Sequence, residues 1–290
     1  MEPTTSGEFP RTLLLATDLS CRCDRALDRA VGLARAWGAR LIAATVIEPD
    51  PGEFMERDRP TRMTKAERAR RTLESYLGDT DLPVEIMVAT GEPAAELLSI
   101  SESRGCDFLV TGIARNDTLG SLLLGGTAKR LISNATVPAL IVQERAAGIY
   151  RNIVVAAGRT DVAQAAILAS ARLFPEARIT LLHARDAPVA AGIAPDSGNS
   201  EDQALADTMR ADISADPRIG AELGARLEVV VAAGSIESLI GEFTEDHAAD
   251  LTIVASRGRG AIFEALVGST EHKLLDSHSG DLLIVRSGRN

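Results

Sequence analysis

Short apolar runs alternate with amphipathic stretches along this chain, and the alternation predicts its elements. In the first half the runs are Thr12–Ala16, Leu41–Ile47, Val84–Ala89, Phe108–Thr111 and Ala139–Val142. They are strand-length and rich in Val, Ile and Leu, and Glu85 is their one charged residue. Between them lie Asp24–Trp37, Lys65–Leu77, Ala94–Arg104 and Leu122–Asn134, whose apolar residues follow a helical period. In the first of these, Ala26, Leu27, Ala30, Leu33, Ala34 and Trp37 form one stripe. Continuous apolar strands alternating with helices predict a parallel sheet covered on both faces. Pro49–Arg62 and Asp186–Gln203 lack apolar periodicity and are rich in Pro, Gly, Ser and charge, which predicts surface loops.

The pattern occurs twice. Asp107 and Asp250 head matching segments 143 positions apart, Cys106–Gly112 and Ala249–Ala255. Val137–Val142 matches Gly280–Val285, and Val88–Gly91 matches Val231–Gly234, at that same offset of 143. Second-half strands are expected at Ile153–Ala156, Ile179–Ala184, Leu227–Val231, Leu251–Val254 and Leu282–Val285. The expected architecture is therefore α/β, two tandem doubly wound five-stranded parallel-sheet domains, with boundaries at 1–146 and 147–290. Pairing of the two fifth strands would bury both edges in an intrachain pseudo-two-fold pair. A homodimer of such tandem chains is compatible with that closure.

Composition narrows the partners. The chain has 290 residues and a formal net charge of −10, a field that repels nucleic acid and anionic membranes. Aromatic residues make up 3%, too few for a platform that stacks single-stranded bases. No apolar run approaches the roughly 20 residues of a membrane span, and the opening residues lack a secretory pattern. A cytoplasmic location is expected. Cys21, Cys23 and Cys106 form no disulfide framework, and Cys21-Arg22-Cys23 has no second pair to complete a metal site. His183, His247, His272 and His278 show no metal spacing, so neither a metal nor a catalytic residue is assigned.

The chemistry is expected at the carboxyl ends of the strands, where an open parallel sheet binds ligands. The first strand runs into Ala16-Thr17-Asp18-Leu19-Ser20. Asp18 is a candidate ligand contact, or else the cap of a helix starting near Ser20. After the fourth strand of the second half comes a loop holding Ala255, Arg257, Gly258 and Arg259, then Gly268-Ser269-Thr270 at a helix start. Glycines allow backbone amides to approach a ligand, and a helix N-terminus favours phosphate. Arg257 and Arg259 add charge-assisted contacts. The first half offers Gly112, then Gly125, Gly126 and Thr127.

This arrangement resembles the universal stress protein family, in particular its tandem-domain members. The family's signature is glycine, two residues, glycine, nine residues, glycine, then serine or threonine. The second half matches at Gly258, Gly268 and Ser269, with Ala255 in the first glycine's place. The first half matches at Gly112 and Gly125, with Arg115 at the second glycine, Gly126 at the hydroxyl position and Thr127 following. Asp18 matches the aspartate associated in that family with adenine nucleotides, whereas Gly158 stands there in the second half. The resemblance implies the adenine nucleotide alpha hydrolase-like fold and a regulator binding ATP, ADP or AMP, with magnesium accompanying the polyphosphate. The second half then ranks first for phosphate and the first half for ribose or base. A nucleotide-free protein-interaction module of the same fold is the alternative. A slow ATP hydrolase ranks third, because no GxxxxGK[ST] loop, GxSxG elbow or assignable base is present. Protein partners are unspecified by the sequence.

Overall fold

The computed structural model describes residues 9–20, 24–49, 63–115, 122–123, 125–156, 160–185, 200–256 and 280–286. The chain divides into two compact units, one built mainly on residues 10–148 and the other mainly on 149–290.

The first unit runs β1 (Thr12–Ala16), α1 (Asp24–Trp37), β2 (Arg40–Ile47), α2 (Lys65–Leu77), β3 (Val84–Thr90), α3 (Pro93–Ser103), β4 (Phe108–Gly112), α4 (Gly126–Asn134) and β5 (Ala139–Val142). Its strands are parallel in the order β5-β4-β1-β2-β3. Leu13, Leu14 and Leu15 are consecutive, point to alternate faces and are all fully buried, so both faces are covered. On α1 the predicted stripe faces the sheet: Ala26, Ala30, Leu33, Ala34 and Trp37 are buried. Trp37 meets Phe108 of β4 edge-on, with ring centroids 5.0 Å apart. The chain passes from β3 to β4 across β1, so strand order reverses between β1 and β4.

The second unit repeats this plan with β6 (Asn152–Ala156), α5 (Thr160–Leu173), β7 (Arg178–Arg185), α6 (Ser200–Ser214), α7 (Ala221–Arg226), β8 (Leu227–Ala233), α8 (Ile236–His247), β9 (Leu251–Ser256) and β10 (Asp281–Arg286). Its strands are parallel in the order β8-β7-β6-β9-β10.

The matching aspartates have matching tasks. Asp107 accepts the backbone N–H groups of Arg11 and Thr12 at 2.8 and 3.0 Å, fastening the start of β4 to that of β1. Asp250 accepts those of Arg151 and Asn152 at 2.8 and 3.1 Å, doing the same for β9 and β6. Gly91 and Gly234 also correspond: both have positive φ, 155° and 145°, and both donate backwards, to the carbonyls of Ile47 and Arg185.

Two helix starts differ clearly from expectation. The helix expected from Leu122 begins at Gly126, and Leu122–Leu123 are extended. The Gly125-Gly126 pair explains the shift, since glycine is the poorest helix former after proline and Gly125 is itself extended at φ −56°, ψ 153°. Helix α6 takes up Ser200–Gln203, which the sequence pattern had left in a loop. Glu201 and Asp202 in its first turn suit the positive end of the helix dipole. Helix α1 spans Asp24–Trp37, the bounds its spacing predicts.

Candidate functional site

A cleft of about 400 Å³ opens at the carboxyl ends of the first unit's strands, at the reversal of strand order. Its inner wall is apolar, formed by Val46 near the end of β2, Leu97 of α3, Ile113 after β4, and Ala128 and Leu131 of α4. Asp18, Glu48 and Thr127 are polar and exposed among its lining residues. All five first-half candidates line it: Asp18, Gly112, Gly125, Gly126 and Thr127. The strand order brings them together although Asp18 and Thr127 are far apart in the chain.

The turn after β1 is held locally. The Thr17 hydroxyl accepts the Leu19 N–H at 3.1 Å, and the Asp18 carboxylate accepts the Ser20 N–H at 2.9 Å. Leu19 takes a left-handed φ of 61°, which these two bonds support. Asp18 closes this turn, and in doing so it is placed at the cleft.

Across the cleft, α4 starts at a bare N-terminus. Gly125 is its N-cap and provides no side-chain hydrogen bond. The first-turn N–H groups of Gly126, Thr127 and Ala128 have no intrahelical acceptor, the ordinary condition of a helix start. A Cβ built on Gly125 or Gly126 would meet no heavy atom within 4 Å. These glycines are thus required neither by φ nor by crowding; they leave open space next to backbone donors. That fits an anionic group of a ligand.

Glu92 was not among the sequence candidates, yet it joins two walls of the cleft. As N-cap of α3 it accepts the N–H groups of Ala94 and Ala95 at 3.3 and 2.8 Å. Its carboxylate also pairs with Arg130 of α4 at 2.9 Å. The available signal was a glutamate directly before a proline at the first helical position.

In the second unit, Ala255 lies near the end of β9, buried and paired with Val285 of β10. Arg257, Gly258, Arg259, Gly268, Ser269 and Thr270 lie outside the described residues, as do Arg115's side chain, Gly158, Cys21 and Cys23. A separate cavity of about 100 Å³ sits at the amino ends of β6, β7 and β8, where His247 stacks on Phe243 at 3.9 Å. It has room for a few waters only. Among the described residues no group of three or more His, Cys, Asp or Glu side chains is placed to hold a metal ion. Cys106 is buried, and burial pushes its thiol up to about 11, away from thiolate chemistry at neutral pH.

A model described as the universal stress protein family matches residues 10–143 and, a second time, residues 149–286. The chain belongs to the universal stress protein family. A universal stress protein of Thermus aquaticus is 33% identical over 138 residues, 46% of this chain and 98% of the relative. One from Bacillus subtilis is 26% identical over 144 residues, 45% of this chain and 97% of the relative. Each matches about half of this chain over almost its whole length, as a duplicated chain requires. The crystal structure of a universal stress protein from Archaeoglobus fulgidus is similar along the full length. It covers 96% of both chains with a TM-score of 0.69 at 18% identity, a likeness of fold. Among the described residues, no helix is long and apolar enough to cross a membrane.

Proposed function

We propose that this universal stress protein is a cytoplasmic regulator that binds an adenine nucleotide and does not turn it over. The observation that carries the reading is the first-unit cleft, where Asp18, the Gly112 strand end and the bare start of α4 line one space. An apolar wall suits a base, a carboxylate suits ribose hydroxyls, and helix amides suit a phosphate. Gly258, Gly268, Ser269 and Thr270, with Arg257 and Arg259, form the second site and the stronger one for a polyphosphate, on the completeness of their signature. Magnesium would enter with the polyphosphate, which supplies most of its ligands. No residue is assigned as a base, which is why turnover is not proposed.

Calorimetry of the full chain with ATP, ADP and AMP tests this. ATP heat is expected in the parent protein. Gly268→Val should lower ATP affinity by about tenfold or more, the loss of one or two charge-assisted amide contacts. Gly125→Val should change total ATP affinity little. No heat and no thermal shift at millimolar nucleotide would leave the nucleotide-free interaction module. Sustained ATP turnover that a cleft substitution abolishes would make the chain a hydrolase.

A further inference from the structure

The same four positions are filled differently in the two units at the amino ends of the strands. In the first unit Ile42 pairs with Leu14 on one side and Glu85 on the other; in the second, Thr180 pairs with Val154 and Glu228. Arg40 and Arg178 stand two residues before Ile42 and Thr180, on the same sheet face. Arg104 at the end of α3 corresponds to His247 at the end of α8, by the offset of 143 that also relates Glu85 to Glu228. In the first unit these residues close on one another. The Arg104 guanidinium pairs with Glu85 at 3.0 Å, and Arg40 approaches the same carboxylate at 3.9 Å.

The second unit keeps the carboxylate and one arginine and lacks the other guanidinium. His247 turns back on its own helix, its ring flat on Phe243 at 3.9 Å and its Nδ1 3.2 Å from the Phe243 carbonyl oxygen. Among the described residues, the side chains of Arg178 and Glu228 make no hydrogen bond or ion pair. The cavity of about 100 Å³ lies among these groups, lined by Arg178, Thr180, Glu228, Phe243 and His247. Thr180 is the buried polar residue of that lining, 6% exposed, and its hydroxyl has no partner among the described residues. Its counterpart Ile42 is apolar and fully buried.

These features favour a planar cation. A carboxylate accepts two parallel hydrogen bonds from a guanidinium, and the carboxyl end of α8 is the negative end of a helix dipole. The Phe243–His247 stack offers aromatic surface of the kind that guanidinium planes cover. Room for a few waters admits such a head and little more. Arg178 is no obstacle, since the first unit gathers both Arg40 and Arg104 around one carboxylate. We propose that the amino-end cavity of the second unit binds a guanidinium group supplied from outside the chain, with Glu228 as its counter-ion. The Arg104–Glu85 pair is the filled counterpart of this site. The site is independent of the nucleotide reading.

Amide spectra of the isotope-labelled full chain test this, by titration with methylguanidinium chloride, its neutral isostere methylurea, and sodium chloride. Methylguanidinium is expected to shift Thr180, Glu228 and His247 saturably, with a dissociation constant of about 5 mM, in keeping with one partly exposed ion pair. Glu228→Gln should weaken it about tenfold. His247→Arg should abolish it by filling the cavity from within. Both variants should melt like the parent, because both side chains are exposed. The proposal is overturned if methylurea or sodium chloride acts as methylguanidinium does, if the shifts never saturate, or if either substitution leaves the response unchanged. Saturable binding of phosphate at the same amides overturns it as well. Competition by agmatine and by a blocked Ala-Arg-Ala peptide identifies the source. Stronger displacement by agmatine assigns a small free guanidinium compound, stronger displacement by the peptide assigns an arginine presented by a protein, and either result upholds the site.

Discussion

The two ends of the sheets have diverged to different degrees between the halves. At the amino ends, Asp107 and Asp250 each accept two backbone N–H groups and join the same pair of strands. At the carboxyl ends, Asp18 has Gly158 as its counterpart, and Arg115 stands where the second half has Gly258. The difference teaches where the fold is held and where function is free to vary. A carboxylate that satisfies two strand-start amides stabilises any sheet of this plan, whatever it binds. At the other end the matching residues differ while both units keep the same parallel strand order, so the plan does not depend on those positions. The amino ends are not identical either: Pro138 corresponds to Asp281, which is fully buried and accepts a hydrogen bond from Tyr150.

The comparison breaks most visibly if the shared aspartates are not equivalent. Asp107→Ala and Asp250→Ala are each expected to destabilise their unit by about 3 kcal/mol, because two charge-assisted bonds are lost and two amides are left to find water. Chemical denaturation followed by hydrogen exchange at Thr12 and Asn152 should show similar losses in the two variants. A large effect in one unit and none in the other would mean that the match at 107 and 250 is one of sequence only.

A smaller effect separates the glycines after the third strand of each half. At Gly91 an added Cβ would lie 2.7 Å from the Glu96 carboxylate, at a φ that L residues avoid. At Gly234 the nearest atom is a Leu239 methyl at 3.6 Å, so the backbone penalty stands alone. Gly91→Ala should cost about 2 kcal/mol and Gly234→Ala about 1 kcal/mol, measured by urea unfolding. Equal costs would show that the Glu96 side chain yields freely.

The smallest expected effect belongs to Cys106, whose counterpart is Ala249. Its thiol is held at about 11 in the folded chain against 9.0 in the open chain, mainly by burial. Between these values the unfolded chain releases the proton and the folded chain keeps it. The thiol's contribution to stability is therefore complete below pH 9 and is lost as pH rises towards 11. The stability difference between the parent and Cys106→Ala should fall across that window and stay flat at neutral pH. A flat difference up to pH 11 would mean that the folded thiol titrates normally.

Much of the fold was legible because it is written in local pattern. The β1 run is apolar from Leu13 to Ala16, and the α1 stripe has helical spacing; the structure buries both as that pattern requires. The start of α4 was misjudged because Leu122 and Leu123 extend an apolar run, and the glycines that interrupt it act through backbone freedom, which hydropathy does not register. In the first half the site candidates were legible as residue types. Glu48 and Glu92 were not, since one lines the cleft after an otherwise ordinary strand and the other acts through Arg130 on a different helix.

The sequence by itself determined the parallel α/β plan and its duplication. These follow from periodicity and self-similarity, both of which are properties of neighbours along the chain. Only the tertiary structure decided that Asp18, Glu48, Leu97 and the start of α4 line one cleft. That meeting depends on β1 lying between β4 and β2, and on α3 packing beside α4 with Glu92 and Arg130 paired. Strand order is settled by how whole faces bury one another, so no local window of the chain contains it.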